Sequence, residues 1–140
     1  SDLQRMGYVL KRGEKNPPKE VLDIFNCLHD AVSLGIKNSK PGVKGYEIDE
    51  IVRNEIIKNG YPNYNHATGH PIGEFAHNPG TSLSPKGHKR SGLNLQKNGV
   101  YTIEPRIQTE NGGSIEEMVL VTENGGKTLC ERQENIYIIR

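Results

Sequence analysis

The residues best equipped for chemistry lie in the run His66-Ala67-Thr68-Gly69-His70-Pro71-Ile72-Gly73-Glu74-Phe75-Ala76-His77-Asn78-Pro79-Gly80, which holds three of the chain's five histidines. Imidazole serves both as a metal ligand and as a proton carrier near neutral pH. His66 and His70 have the spacing of a zinc-protease helix, but Ala67-Thr68-Gly69 supplies no glutamate between them. Pro71 lacks an amide hydrogen and pushes His70 out of helical geometry, so the run is a loop or strand that carries histidines. Three acidic residues stand elsewhere in apolar surroundings: Asp2 at the start of an apolar strand, Glu104 in Tyr-Thr-Ile-Glu-Pro, and Glu116 after Ile115. A carboxylate inside a strand is costly to bury unless a cation or hydrogen-bond donors hold it. The plainer reading of each one alone is a rim or outward-facing position. Strand alternation turns the neighbouring Glu117 away from Glu116. With His70 the three make a set of carboxylates and one imidazole. Such ligands suit divalent Mn, Co, Fe or Zn, and that number of carboxylates can hold two ions sharing a bridging water.

The elements that must position these groups follow from periodicity. Residues 1–11 read as a strand, with Met6, Tyr8 and Leu10 alternating against Arg5, Gly7 and Val9. Its partner strand is expected upstream of Ser1. Asn16-Pro17 is a helix start, a capping side chain followed by a residue whose missing amide hydrogen is no loss. Val21, Ile24, Phe25, Leu28, Ala31 and Val32 then mark one apolar face of a helix to about residue 37. A second helix is expected over residues 45–59, buried through Ile48, Ile51, Val52 and Ile56 and closed by Gly60 as a left-handed cap. Its charges (Glu47, Asp49, Glu50, Arg53, Glu55 and Lys58) are expected to form the solvated face. Short strands are expected over residues 100–107, 113–122, 127–130 and 135–140, with Glu123-Asn124-Gly125-Gly126 as a hairpin turn. Strand, two helices and then strands give an α+β class with a largely antiparallel sheet.

Composition narrows the function classes. The chain's 140 residues fit one modest domain, and 16 glycines with 8 prolines point to a turn-rich fold. A formal net charge of +1 gives no general attraction to nucleic acid or to a membrane surface. The basic cluster at residues 86–90 reads as a solvated loop. No apolar run approaches the ~20 residues of a membrane span. Cys27 and Cys130 lack CxxC spacing and read as free thiols in a reducing, cytoplasmic setting.

Four pieces in order resemble one family: Ser1-Asp2-Leu3-Gln4-Arg5, Gly69-His70-Pro71-Ile72-Gly73 with His77, Tyr101-Thr102-Ile103-Glu104-Pro105, and Ile115-Glu116-Glu117-Met118-Val119-Leu120-Val121-Thr122. They are similar to the pita-bread metallopeptidases, which include methionine aminopeptidase, Xaa-Pro aminopeptidase, prolidase and the non-peptidase creatinase. The resemblance implies a partial pita-bread fold, a curved antiparallel sheet with two helices packed on it. It also implies that Asp2 and Glu116 bridge two divalent metals (Mn, Co or Zn), with His70 and Glu104 completing one metal's shell. His77 would contact substrate and stabilise the tetrahedral intermediate, His66 would lie beside the substrate, and Glu104 would take up and return a proton. The implied activity is that of an exopeptidase cutting before proline, with peptide as its partner and a homodimer as its full-length state.

Two departures stand out. The family's first metal-ligand aspartate lies on a strand preceding Asp2, and an earlier helical and strand segment is also absent. Residues 1–140 are therefore expected to be the C-terminal part of the catalytic domain, holding one metal or none when isolated, and inactive alone. Many proline-specific members carry arginine immediately before Ile-Glu, where this chain has Ser114, which puts proline specificity in question. Asn78 also replaces a usual acidic residue after His77. Two further readings are a creatinase-like C–N hydrolase and a pseudo-enzyme that binds peptides or proteins. The filled ligand positions weigh against both.

Overall fold

The computed structural model describes residues 1–140. Helix α1 (Lys19–Asn38) buries Val21, Ile24, Phe25, Leu28, Ala31 and Val32 on one face, as their spacing requires. It starts two residues later than an Asn16 cap would place it, with Pro18 at the cap position and no side-chain cap. Pro18 forces Pro17 out of the helical region, so the helix cannot begin until both prolines have passed. Helix α2 (Gly45–Lys58) buries Ile48, Val52 and Ile56. Gly60 closes it with φ of +85°, the left-handed turn that glycine adopts at little cost. The helices pack closely because Gly35 has no side chain: a Cβ there would lie 2.8 Å from Val52 and 3.0 Å from Ile103.

Four strands form the central antiparallel sheet in the order β2 (Pro71–Ile72), β3 (Val100–Ile103), β6 (Glu117–Thr122) and β7 (Gly125–Thr128). Thr122 pairs with Gly125, so the turn contracts to Glu123-Asn124 and β7 starts earlier than its sequence pattern indicates. The segment expected as one strand over 100–107 is broken after Ile103, and Arg106–Ile107 continues separately as β4. Pro105 cannot donate to a ladder, and Glu104 sends its amide to Thr68 instead. The segment over 113–122 divides in the same way into β5 (Gly113–Ser114), which pairs with β4, and β6. Glu116 lies in that gap and forms an isolated antiparallel bridge with Gln4.

Only Gly7–Val9 of the first segment is a regular strand, β1. Its partner is β8 (Tyr137–Ile139), the last strand of the chain, and the pair runs parallel. Parallel pairing needs a long crossover, and nearly the whole chain serves as one here. A core of 21 buried residues joins α1, α2 and the sheet. No helix is long and apolar enough to cross a membrane.

Candidate functional site

His70 is set against β3 by its backbone. Gly69 exchanges two hydrogen bonds with Leu83, and a Cβ on Gly69 would fall 2.0 Å from the Thr102 carbonyl oxygen. Only glycine allows that approach. The His70 amide donates to Thr102 Oγ1 at 3.0 Å, and the Thr102 amide returns a bond to the His70 carbonyl at 2.8 Å. The imidazole Nδ1 lies 3.3 Å from the Pro71 carbonyl oxygen. Its Nε2 faces Glu104 Oε1 at 3.3 Å and Asp2 Oδ2 at 3.6 Å. Burial opposes a charge on His70, but Glu104, the Pro71 carbonyl and Asp2 outweigh it and hold the pKa above the usual histidine value.

Glu104 follows β3 directly, its amide bonded to the Thr68 carbonyl at 2.7 Å and its Oε1 accepting from Thr102 Oγ1 at 3.2 Å. Glu116 is tied to the chain's first residues. It exchanges backbone bonds with Gln4, accepts Gln4 Nε2 on Oε2 at 2.8 Å, and offers its carbonyl to Arg5 at 2.9 Å. The side chain is only 1% exposed, and its second oxygen, Oε1, has no partner. Burial pushes this carboxyl up to about 7, against the opposing Gln4 bond and with Glu104 and Asp2 adding to the rise. Asp2, His70 and Glu116 each offer one ligand atom, and these atoms lie within 4.8 Å of one another. Glu104 joins them through His70.

The other two histidines of the run border this cluster. His77 stacks on His70 with ring centroids 4.1 Å apart, and His66 packs against Tyr64 at 4.8 Å. His66 Nδ1 lies 2.7 Å from the Ala67 carbonyl oxygen, while Nε2 is buried without a partner. A cleft of about 530 Å³ opens over these groups, lined by Gln4, His66, His70, His77, Glu104 and Arg106 among others. Every residue singled out from the sequence thus falls in one place. Glu117 does point away from Glu116, but it is buried and paired with Arg5 at 3.1 Å rather than turned to solvent.

The charges of α2 are not all solvated. Asp49 and Arg53 are buried and joined by two hydrogen bonds of 2.9 and 2.6 Å. Arg53 also donates to Asn63 Oδ1 and to the carbonyls of Tyr64 and His66, and lies over the Tyr64 ring. Thr68 Oγ1 donates to Asp49 Oδ1 at 2.6 Å. This network holds residues 63–68, the approach to His70, and through the Thr68 carbonyl it holds Glu104. Its members were hidden by ordinary helical spacing of charges. Gln4 and Thr102 were also missed, though each stands two residues from a carboxylate on an extended segment, where period-two alternation puts both on one face.

The cluster suits a divalent cation on its own evidence. Its ligands are oxygen and imidazole nitrogen, and the orphaned Glu116 Oε1 is a buried acceptor that lacks a cation or donor.

Comparison with known proteins agrees. Residues 1–123 match the sequence model of metallopeptidase family M24. An uncharacterised peptidase of Bacillus subtilis is 35% identical over 127 residues, 88% of this chain and 34% of that protein. A Xaa-Pro dipeptidase of Pyrococcus horikoshii is 32% identical over 140 residues, covering 97% of this chain and 37% of that protein. The chain therefore spans about a third of the length of these curated relatives. Among solved structures, an X-Pro aminopeptidase from Thermotoga maritima superposes with a TM-score of 0.85 at 29% identity, covering 99% of this chain and 38% of that one. The fold is thus the α+β pita-bread architecture in part.

Proposed function

The chain belongs to metallopeptidase family M24, and from that premise we propose that it carries the metal-binding half of an exopeptidase site that cuts the peptide bond before proline. The observation that supports this reading is the convergence of Asp2, His70, Glu104 and Glu116 from separate segments around an unpartnered buried carboxylate oxygen. Asp2, His70, Glu104 and Glu116 are the residues that would hold the metal, with the carboxylates of Asp2 and Glu116 able to serve two ions. When bound, divalent ions lower the pKa of water and polarise the scissile carbonyl.

The chain's own residues do the rest. Glu104 sits where a carboxylate can accept a proton from the attacking water and return it to the leaving amine. His77, stacked on His70 and lining the cleft, would donate to the carbonyl oxygen on which charge develops. His66 borders the peptide from the same loop. Asp49 and Arg53 keep that loop in register. Proline as the residue after the cut is supported by the names of the relatives, an X-Pro aminopeptidase and a Xaa-Pro dipeptidase.

Metal analysis of the full-length protein together with a panel of Xaa-Pro and Xaa-Ala peptides tests this. About two Mn, Co or Zn ions per chain and hydrolysis confined to Xaa-Pro are expected. Equal rates on Xaa-Ala would overturn the proline assignment, and a protein that takes up no metal would overturn the peptidase reading.

A further inference from the structure

The Glu116 carboxylate has a single hydrogen-bond partner in the chain, the Gln4 amide, which donates to Oε2 at 2.8 Å and leaves Oε1 buried with none. The backbone of Gln4 is fixed. It forms an antiparallel bridge with Glu116, its amide donating to the Glu116 carbonyl at 3.4 Å and its carbonyl accepting from the Glu116 amide at 3.1 Å. Its side chain is free by comparison: Gln4 is exposed, lines the cleft, and makes no other side-chain hydrogen bond. The partner of the other two ligands is built differently. Thr102 is fully buried, and its short Oγ1 accepts the His70 amide at 3.0 Å while donating to Glu104 Oε1 at 3.2 Å. Glu104 and His70 thus lean on a short, buried side chain. Glu116 leans on a long, solvent-exposed one whose base is pinned and whose tip can move.

That arrangement makes the two oxygens of Glu116 unequal. A hydrogen bond from an outer partner orients a ligating carboxylate, so the bond on Oε2 turns Oε1 into the oxygen left for a cation held with Asp2 and His70. The same bond works against a second cation on Oε2. A carboxylate oxygen carries two lone pairs, so the amide competes there rather than excludes, and an exposed glutamine can swing away for the cost of one hydrogen bond. We propose that Gln4 is a positioning residue that makes Glu116 one-sided, aiming Oε1 at the first divalent cation and giving way on Oε2 only when a second is bound. The order of loading is then written into a side chain that is itself no ligand. This rests on the metal-binding part of the exopeptidase reading above.

The test titrates metal-free full-length protein with Mn by calorimetry and compares it with Gln4→Met, which keeps the length of the side chain and removes its donor. Mn prefers oxygen and imidazole ligands, so the thioether adds none. Two binding steps are expected in the unaltered protein. In Gln4→Met the first Kd should rise about 10-fold, the low end for losing an outer partner. The second Kd should fall about 3- to 10-fold, less than the full worth of a charged hydrogen bond because the amide only competes. The two steps therefore draw together. Gln4→Asn, one methylene too short to reach Oε2 from a pinned backbone, should behave in the same way. Urea midpoints in EDTA should match across all three proteins. Shifts of opposite sign are the signature, since a merely structural residue would weaken both steps. Both steps weakened alike, neither step moved, or a single step in the unaltered protein would overturn the role of Gln4 even with hydrolysis intact. The opposite shifts in a protein that cleaves no Xaa-Pro peptide would uphold Gln4 and sink the exopeptidase reading instead.

Discussion

Asp49 and Glu116 are both carboxylates with 1% of their surface exposed, and their surroundings differ in kind. Asp49 meets Arg53 through both oxygens and takes a third bond from Thr68. Glu116 receives one side-chain amide from Gln4 on one oxygen and nothing on the other. A buried carboxylate without a cation is expensive, and one with a full set of partners is not. The difference separates structure from site. The α2 network is closed and has nothing left to offer a ligand. The Glu116 cluster is left incomplete by the protein, and a divalent cation would complete it.

Substitutions on the two sides should therefore behave oppositely. Asp49→Ala leaves the Arg53 guanidinium buried and unpaired, and urea unfolding should register a loss of about 3–5 kcal/mol. A loss under 1 kcal/mol would mean that the network is less dry than its exposure indicates. Next in size is the metal itself. Mn at about 100 times its Kd should raise the unfolding free energy by about 2.7 kcal/mol, an increment that EDTA removes and that Glu116→Gln or His70→Ala abolishes. Without metal, Glu116→Gln should be neutral or stabilising by up to about 1 kcal/mol, because it removes a charge that has no counterpart. Strong destabilisation of the metal-free protein would show that Glu116 is a structural residue like Asp49.

The smallest effect concerns the thiols, which lie outside both regions. Burial pushes Cys27 up to about 11, with Glu55 and Asp30 adding to the rise. Its thiolate is scarce at pH 8, so iodoacetamide should label exposed Cys130 first and reach Cys27 only on unfolding. The sign for stability follows. A raised folded pKa leaves this contribution intact below about 9, the unfolded value, and removes it as pH climbs towards about 11. Faster labelling of Cys27 than of Cys130 in folded protein would contradict the burial of α1's inner face.

Much of this was legible in residue types. The apolar spacing of both helices, the Gly60 cap and the short strands were all readable because they are local patterns. So was the membership of Asp2, His70, Glu104 and Glu116 in one set, since a carboxylate amid strand residues is chemically conspicuous. The Asn16 cap was a misreading, because the second of two prolines overrides a good capping side chain. Asp49 and Arg53 were misread for a different reason. Charges four residues apart on a helix look the same whether they face water or the interior.

The sequence by itself determined which elements form, which residue types could hold a metal, and the order in which they occur. All of these depend on neighbours a few residues away, where backbone periodicity and side-chain chemistry suffice. Only the tertiary structure decided that β1 pairs in parallel with the last strand, that Gln4 meets Glu116, that Arg106 faces Ser114, and that one Glu116 oxygen is left without a partner. Those facts arise where the chain returns to itself. Burial and partnership there depend on how distant segments pack, and no local pattern encodes which polar group the packing will leave open.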